Sequence, residues 1–313
     1  DGRFILKTGD RTFAVRLSTM PIQYGESVVM RLLDQSRAML NIDDLGMPEH
    51  IKNRFCSLIK RPDGMVLITG PAGSGKTTTL YSALSVLNSP THKIITVEDP
   101  IEYRLPRINQ IQINPGINFT FTRALGASLH LDPDIIMVSE MHDKESIEIG
   151  LRAAITGHFV LSTLHTNDSI SSVNRLIDMG AEGYLVASAL RAVLAQRLIR
   201  RNCEKCSMPY EPAEHERTWL YEKLGIQPDK TNFRKGTGCH ACNHTGFKDR
   251  IGVFELLEID DDLADALRRN DTSEFARKAR TRKNFRNISL CAIDYALEGV
   301  TTIDEVSRIS EGL

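Results

Sequence analysis

Several things are scarce in this 313-residue chain, and each scarcity excludes something. No apolar run approaches the roughly 20 residues that span a bilayer. The richest stretch, residues 185–195, is broken by Ser188 and Arg191, so no transmembrane helix is expected. Neither sign of charge is in excess. Thirty-nine Lys and Arg face 40 Asp and Glu, giving a net charge of −1 and a pI near 6.8. No global field therefore draws the chain toward nucleic acid. A secretory leader, internal repeats and low-complexity tracts are all missing, and the chain starts at Asp1 rather than Met. That reads as a fragment of a soluble, cytosolic protein. Cysteines number only six, but four of them form two Cys-x-x-Cys pairs. Without a secretory leader this favours metal over disulfides.

What is present is a chain 41% apolar, enough for one large core or two smaller ones. Residues 1–35 read as strand, turn, strand. In RTFAVRLST, Phe13, Val15 and Leu17 share one face and Arg16 the other. PIQYGE supplies turn residues before SVVMRLL. The segment is too short for a domain and reads as the C-terminal part of a truncated α+β domain. Residues 36–48 read as a linker. The core, residues 49–202, opens with a helix carrying Ile51, Phe55, Leu58 and Ile59 at helical spacing. From residue 62, short apolar runs (MVLITG, KIITVED, DIIMVSE, HFVLSTLH) alternate with helical stretches such as KTTTLYSALSVL. Strands buried on both faces and separated by helices imply an α/β fold with a mostly parallel sheet. The spacing of Val186, Leu190, Val193 and Leu194 predicts one long helix over GYLVASALRAVLAQRLI. Residues 203–247 hold the cysteines, and 248–313 read as a helical subdomain in which Thr302 caps TTIDEV, with Glu305 three residues on.

Residues 70–77, GPAGSGKT, match G-x-x-x-x-G-K-[ST] between a predicted strand and a predicted helix. Gly70, Gly73 and Gly75 let backbone N–H groups turn toward phosphates, and the helix N-terminus adds a positive field. Lys76 would reach the outer phosphates and the Thr77 hydroxyl would ligate magnesium. Pro71, Ala72, Ser74 and Thr78 complete the candidate nucleotide-binding stretch. Two further strands end in acids, at Glu98 with Asp99 and at Glu140, and a third ends at His165. In an open α/β sheet the strand carboxyl ends converge on the ligand crevice. One acid could orient the attacking water and the other could hold the metal.

Cys203, Cys206, Cys239 and Cys242 make C-x2-C-x32-C-x2-C. Four thiolates in two knuckles close a tetrahedral structural zinc site. The surrounding sequence lacks the basic–aromatic interleaving of a nucleic-acid-binding ribbon. Cys56 and Cys291 lie in helical apolar patterns and read as core thiols. Residues 277–286 carry six basic side chains in ten, a solvated helix face or a contact for an anionic membrane or partner.

With these motifs the chain resembles the secretion ATPases of type II secretion and type IV pilus assembly, the GspE/PilB family. VEDPIEYRLPRINQ, EIGLRAAITGHFVLSTLHTND and LVASALRAVLAQRLIRR look most like its MSHA pilus branch. The resemblance implies a RecA-like P-loop core in a homo-hexamer at the cytoplasmic face of the inner membrane. Such a motor would use ATP and Mg²⁺, with Zn²⁺ in the tetracysteine module, and drive a membrane platform protein to polymerise pilin or pseudopilin. It makes Glu98 the general base, Glu140 the Mg²⁺ support and His165 the γ-phosphate sensor. It also matches Arg16 and Arg31 to arginines that the family brings to the nucleotide from its N-terminal domain. The family usually carries Gly-Glu, an apolar residue and Arg where this chain has Ser139, Glu140, Met141 and His142. Of three family arginines before DPD, Arg123 remains, while Gly126 and His130 take the other places. A fixed bidentate charge is thereby lost, which predicts a competent nucleotide site with impaired or partner-dependent turnover. The competing readings are a nucleotide-binding structural subunit with little turnover and a RecA-like nucleic-acid translocase.

Overall fold

The computed structural model describes residues 2–34, 41–225 and 232–310. Strands β1 (Gly2–Thr8), β2 (Arg11–Ile22) and β3 (Gly25–Asp34) form an antiparallel meander. Residues 1–35 thus hold three strands where the sequence suggested two. Tight turns at Gly9-Asp10 and Gln23-Tyr24 separate them. Val15 is buried and Arg16 exposed, as the alternation requires. Residues 36–40 of the expected linker lie outside the described residues, but its remainder is docked, with Ile42 and Met47 buried in the core.

Helix α1 (Glu49–Ile59) buries Ile51, Phe55, Leu58 and Ile59, the stripe expected from 3.6-residue spacing. Then come β4 (Gly64–Thr69), α2 (Lys76–Leu87), β5 (Ile94–Glu98), β6 (Asn109–Gln112), α3 (Phe121–Leu129), β7 (Ile135–Val138), α4 (Lys144–Ile155), β8 (Phe159–Leu164), α5 (Ser169–Asp178), α6 (Gly183–Ala189) and β9 (Leu190–Asn202). After them follow β10 (Ser207–Pro209), α7 (Glu214–Leu224), β11 (Arg234–Gly236), β12 (Phe247–Glu258), α8 (Asp261–Arg268), α9 (Thr272–Arg280), α10 (Ile288–Leu297) and α11 (Ile303–Ser310).

The main sheet has seven strands in the order β12-β9-β4-β8-β7-β5-β6. All neighbours are parallel except β12, which runs antiparallel to β9. Alternate residues feed opposite cores. On β4, Met65 and Leu67 join the core formed with α3 to α6 and α8, whereas Val66 and Ile68 join the core under α1 and α2. Fully burying such a side chain contributes roughly 1.5–3 kcal/mol, so these layers fix the strand register. A third cluster, including Ile199, Leu220, Val253, Ile293 and Val306, ties α7, α10 and α11 to the far ends of β9 and β12.

Two sequence expectations fail here. The long helix over 183–199 is a short helix, α6, followed by the thirteen-residue strand β9. A strand buried on both faces reads as an unbroken apolar run, and periodicity alone cannot separate it from a buried helix. Pairing with β4 on one side and β12 on the other overrides the helix propensity of Leu, Ala and Arg. Likewise, 248–313 is not wholly helical, because β12 closes the edge of the main sheet. Thr302 does cap α11, accepting from the Glu305 N–H at 3.3 Å. The basic segment is partly neutralised by nearby acids: Arg282 pairs with Asp260, Arg286 with Asp294, and Lys278 with Glu274.

Candidate functional site

The carboxyl ends of β4, β5, β7 and β8 open on one edge of the sheet. There the glycine loop, Glu98, Asp99, Ser139, Glu140 and His165 line a single cleft of about 420 Å³. The sequence-predicted residues Ala72 to Thr78 line it too; Gly70 and Pro71 lie behind, as carbonyl partners of Lys76. No side chain caps the first turn of α2. The first residues of that helix, Lys76, Thr77 and Thr78, line the cleft, and an uncapped helix N-terminus there is suited to anions.

The charged groups form a chain of contacts. Lys76 Nζ donates to the carbonyls of Gly70 (2.8 Å) and Pro71 (3.2 Å) and lies 3.2 Å from His165 Nδ1. An ammonium has only donors, so Nδ1 must accept and the ring proton sits on Nε2. His165 Nε2 in turn lies 3.0 Å from Glu140 Oε1. His142 Nδ1 approaches the same oxygen at 3.4 Å, and its ring packs edge-on to Phe121, the first residue of α3. Burial lowers the pKa of Lys76, and the nearby charge of Glu140 opposes that shift. Thr163 Oγ1 donates to the Ser139 carbonyl at 2.6 Å, which pins the end of β7 to β8.

The two glutamates of EDPIEY, Glu98 and Glu102, differ in setting. Glu98 is 1% exposed. Its Oε1 accepts from Thr96 Oγ1 (2.5 Å) and Gln110 Nε2 (3.0 Å), and its Oε2 accepts from the Tyr81 hydroxyl. Three of roughly four acceptor directions are therefore occupied. The Tyr81 oxygen also accepts from the Glu102 N–H at 3.2 Å. Burial, then the Glu98 charge, pushes the Tyr81 pKa well above the ordinary tyrosine range. Glu102 is half-buried and lines the cleft with Asp99 and Tyr103. Sequence reading passed over Glu102, although it is the next acid in the same segment. It also passed over Tyr81 and Gln110, whose roles depend on contacts across the sheet.

Arg16 and Arg31 stand directly opposite each other on β2 and β3, both exposed. Neither lines the cleft, but Leu33 does. Residues 31 and 33 share a strand face, so Arg31 lies about 7 Å farther along. Arg123 is engaged at its own loop, donating to the Asn118 carbonyl at 3.0 Å. Gly126 has open space where a side chain would start.

A second convergence lies beyond the end of β9. The sulfurs of Cys203, Cys206, Cys239 and Cys242 all lie within 4.8 Å of one another. Measured pairs are 3.9 Å (Cys203–Cys239), 3.9 Å (Cys206–Cys242) and 3.8 Å (Cys239–Cys242). A tetrahedron with Zn–S bonds of about 2.3 Å has edges of about 3.8 Å, whereas a disulfide needs about 2.05 Å. The four thiols thus fit a zinc ion. The Cys239 N–H points at Cys242 Sγ (3.2 Å) and pulls that thiol's pKa down to about 6, favouring the thiolate that a metal needs.

For the cleft, the sequence-predicted donors to a cation, the exposed Thr77 hydroxyl and the Glu140 carboxylate, both line it, alongside Asp99 and Glu102. These are hard oxygens that suit magnesium. Thr77 sits at the head of α2, beside the phosphate-facing turn.

The profile of the family described as "Type II/IV secretion system protein" matches residues 1–308. Type II secretion system ATPase E of Vibrio cholerae serotype O1 is 45% identical over 311 residues, covering 99% of this chain and 61% of the relative. Type II secretion system protein E of Dickeya dadantii is 44% identical with the same coverage. The chain therefore spans about three fifths of the length of the curated relatives it matches. Among solved structures, the pilus retraction motor PilT with bound ADP aligns with a TM-score of 0.70 at 24% identity, covering 98% of this chain and 77% of that one. The Legionella pneumophila ATPase DotB aligns with a TM-score of 0.72 at 19% identity, covering 100% and 77%. These two likenesses concern the fold.

Proposed function

Because the chain belongs to the type II/IV secretion system protein family, we propose that it is the motor region of an ATPase that drives secretion or pilus assembly. The observation that carries this reading is the single cleft joining the glycine loop, Lys76, Glu140 and His165. Lys76 neutralises the outer phosphates. His165, held in its Nε2–H form, links that charge to Glu140 and senses the γ-phosphate. Thr77 and Glu140 hold magnesium, which when bound offsets charge on the phosphate oxygens.

The water-directing role expected of Glu98 passes in this reading to Glu102. Glu98 is spent on Thr96, Gln110 and Tyr81. It acts as a strut, through Tyr81, on the backbone of Glu102. Arg16 and Arg31 extend toward the phosphates from the face that carries Leu33. The cysteine module holds one structural zinc.

The working form is a homo-hexamer. Among the described residues no helix is long and apolar enough to cross a membrane. The hexamer then acts at the cytoplasmic face of the inner membrane through a platform protein. Its cargo is the subunit of a type IV pilus, MSHA-like, or of a type II pseudopilus.

His142 beside Glu140 favours a second reading, a subunit that binds nucleotide and hardly turns over. Steady-state MgATP hydrolysis, measured alongside nucleotide affinity, separates the two. Affinity with turnover supports the motor, affinity without turnover supports the second reading, and neither sinks both. A translocase would bind DNA in a salt-dependent way. The near-zero net charge argues against it.

A further inference from the structure

We propose that Gln196 is a positioning residue that sets the shape of the phosphate-binding loop. The proposal rests on reading the cleft as a nucleotide site, and it assigns a role to a strand that sequence reading took for helix. Gln196 lies on β9, one residue past Ala195, which pairs with Thr69 at the end of β4. The register thus carries its side chain to the level of the loop. It is 2% exposed.

Both ends of its amide are committed. Nε2 donates to the Ser74 carbonyl at 2.7 Å, and Oε1 accepts from Thr79 Oγ1 at 2.7 Å. A carbonyl only accepts, so the amide nitrogen must face Ser74 and the orientation is fixed. One side chain therefore ties the crown of the loop to the first turn of α2. With the Ser74 carbonyl held by Gln196, the Gly75 N–H on the same trans peptide plane points the opposite way.

The motif glycines support the same view. A Cβ on Gly70 would fall 2.3 Å from the Gln196 carbonyl oxygen, and one on Gly75 would fall 2.8 Å from Gln196 Nε2. Both also sit at positive φ, +152° and +90°. Two of the motif's glycines are thus required partly by the close approach of β9 from behind, and not only by phosphate in front.

The next residue extends the brace. Arg197 Nη2 donates to Asn167 Oδ1 at 3.0 Å, in the loop that follows His165. Successive residues of a strand point to opposite faces, so β9 reaches two of the cleft's loops at once.

The test uses the full chain with Gln196→Leu, Gln196→Glu and Thr79→Val. The first readout needs no nucleotide: amide hydrogen exchange of residues 72–78. Gln196→Leu should speed exchange there about tenfold or more, while β4, β8 and β7 keep their protection. Gln196→Glu preserves volume and the acceptor for Thr79, but turns an oxygen toward the Ser74 carbonyl. It should loosen the loop as much, since the new oxygen repels the Ser74 carbonyl. The second readout is MgADP affinity, expected to fall about tenfold, with KM for MgATP rising more than kcat falls. Loop exchange unchanged in Gln196→Leu overturns the proposal. If that variant does not fold, Thr79→Val decides: about threefold faster loop exchange supports it, and no change overturns it. A parent chain with no nucleotide affinity sinks the motor reading instead, and the exchange comparison still judges Gln196.

Discussion

The nucleotide cleft and the four-cysteine cluster both hang on β9, yet their polar groups are satisfied in opposite ways. In the cleft Lys76, His165 and Glu140 already have protein partners: Lys76 contacts two carbonyls and His165, and His165 contacts Glu140. Those partners can be exchanged for phosphate oxygens at little net cost, because one hydrogen bond replaces another. The cysteine sulfurs face each other at 3.8–3.9 Å, and Cys242 Sγ also accepts from the Cys239 N–H at 3.2 Å. A site that must bind and release keeps its groups busy between ligands. A site that holds one ion permanently converges on the place where that ion belongs.

The comparison predicts its largest effect at Lys76. Lys76→Ala removes the side chain that joins the loop carbonyls to His165. MgATP turnover should fall on the order of 10³-fold, read by steady-state phosphate release, with zinc content unchanged. Turnover and affinity equal to the parent would sink the assigned role.

The next effect distinguishes two acids of one segment. Glu102→Gln should lower kcat about 10²-fold or more, as for a lost general base, while nucleotide affinity stays within about threefold. Glu98→Gln should instead show itself as lost stability, about 1–3 kcal/mol by denaturant melts, because a buried acceptor of three donors is rearranged. The reverse pattern would return the base to Glu98.

Legibility in the sequence followed whether the physics was local. The glycine loop acts through contiguous backbone, so eight residues announced it. The cysteine knuckles were equally local, although the β9–β12 and β10–β11 pairings bring the two pairs together across the intervening chain. Strands β4, β5, β7 and β8 were readable because each run is short and ends in turn residues. β9 was not, because both its faces are buried and Leu, Ala and Arg suit either state. The division between Glu98 and Glu102 could not be read either. Strand alternation stops at Glu98, and what redirects the chain is a hydroxyl from α2, Tyr81, far away in sequence. Gln196 was hidden for the same reason as its strand.

The cysteine cluster should respond in structure more than in chemistry. Metal analysis of protein purified without chelators should give about one zinc per chain, and Cys203→Ser should abolish stoichiometric binding. Hydrogen exchange should then rise over residues 203–247, while the parallel strands stay protected and MgADP affinity shifts by no more than about threefold. Zinc-free protein with an unchanged exchange map would show that the four thiols need no ion. Loss of nucleotide affinity equal to that of Lys76→Ala would show that the two regions are one unit.

The smallest effect is expected where the cleft departs from the family's usual sequence. His142 is about half exposed, rests on Phe121 and stands 3.4 Å from the Glu140 oxygen that His165 also contacts. His130, at the end of α3, does not line the cleft. The two histidines should therefore behave differently, although the family resemblance leads one to expect arginine at both. His142→Arg puts a permanent bidentate charge next to Glu140, draws it from His165, and adds positive potential where phosphate charge accumulates. Turnover at pH 7.5 should rise about threefold at saturating MgATP, the scale of a partly exposed charge pair, with KM little changed. His130→Arg should leave the isolated chain's turnover unchanged and act only through contacts between copies. The check is turnover of both variants at matched oligomer populations by light scattering. Equal turnover of His142→Arg and parent would mean that His142 is a neutral replacement. A rise confined to His130→Arg would move the missing charge from the cleft to the surface of α3.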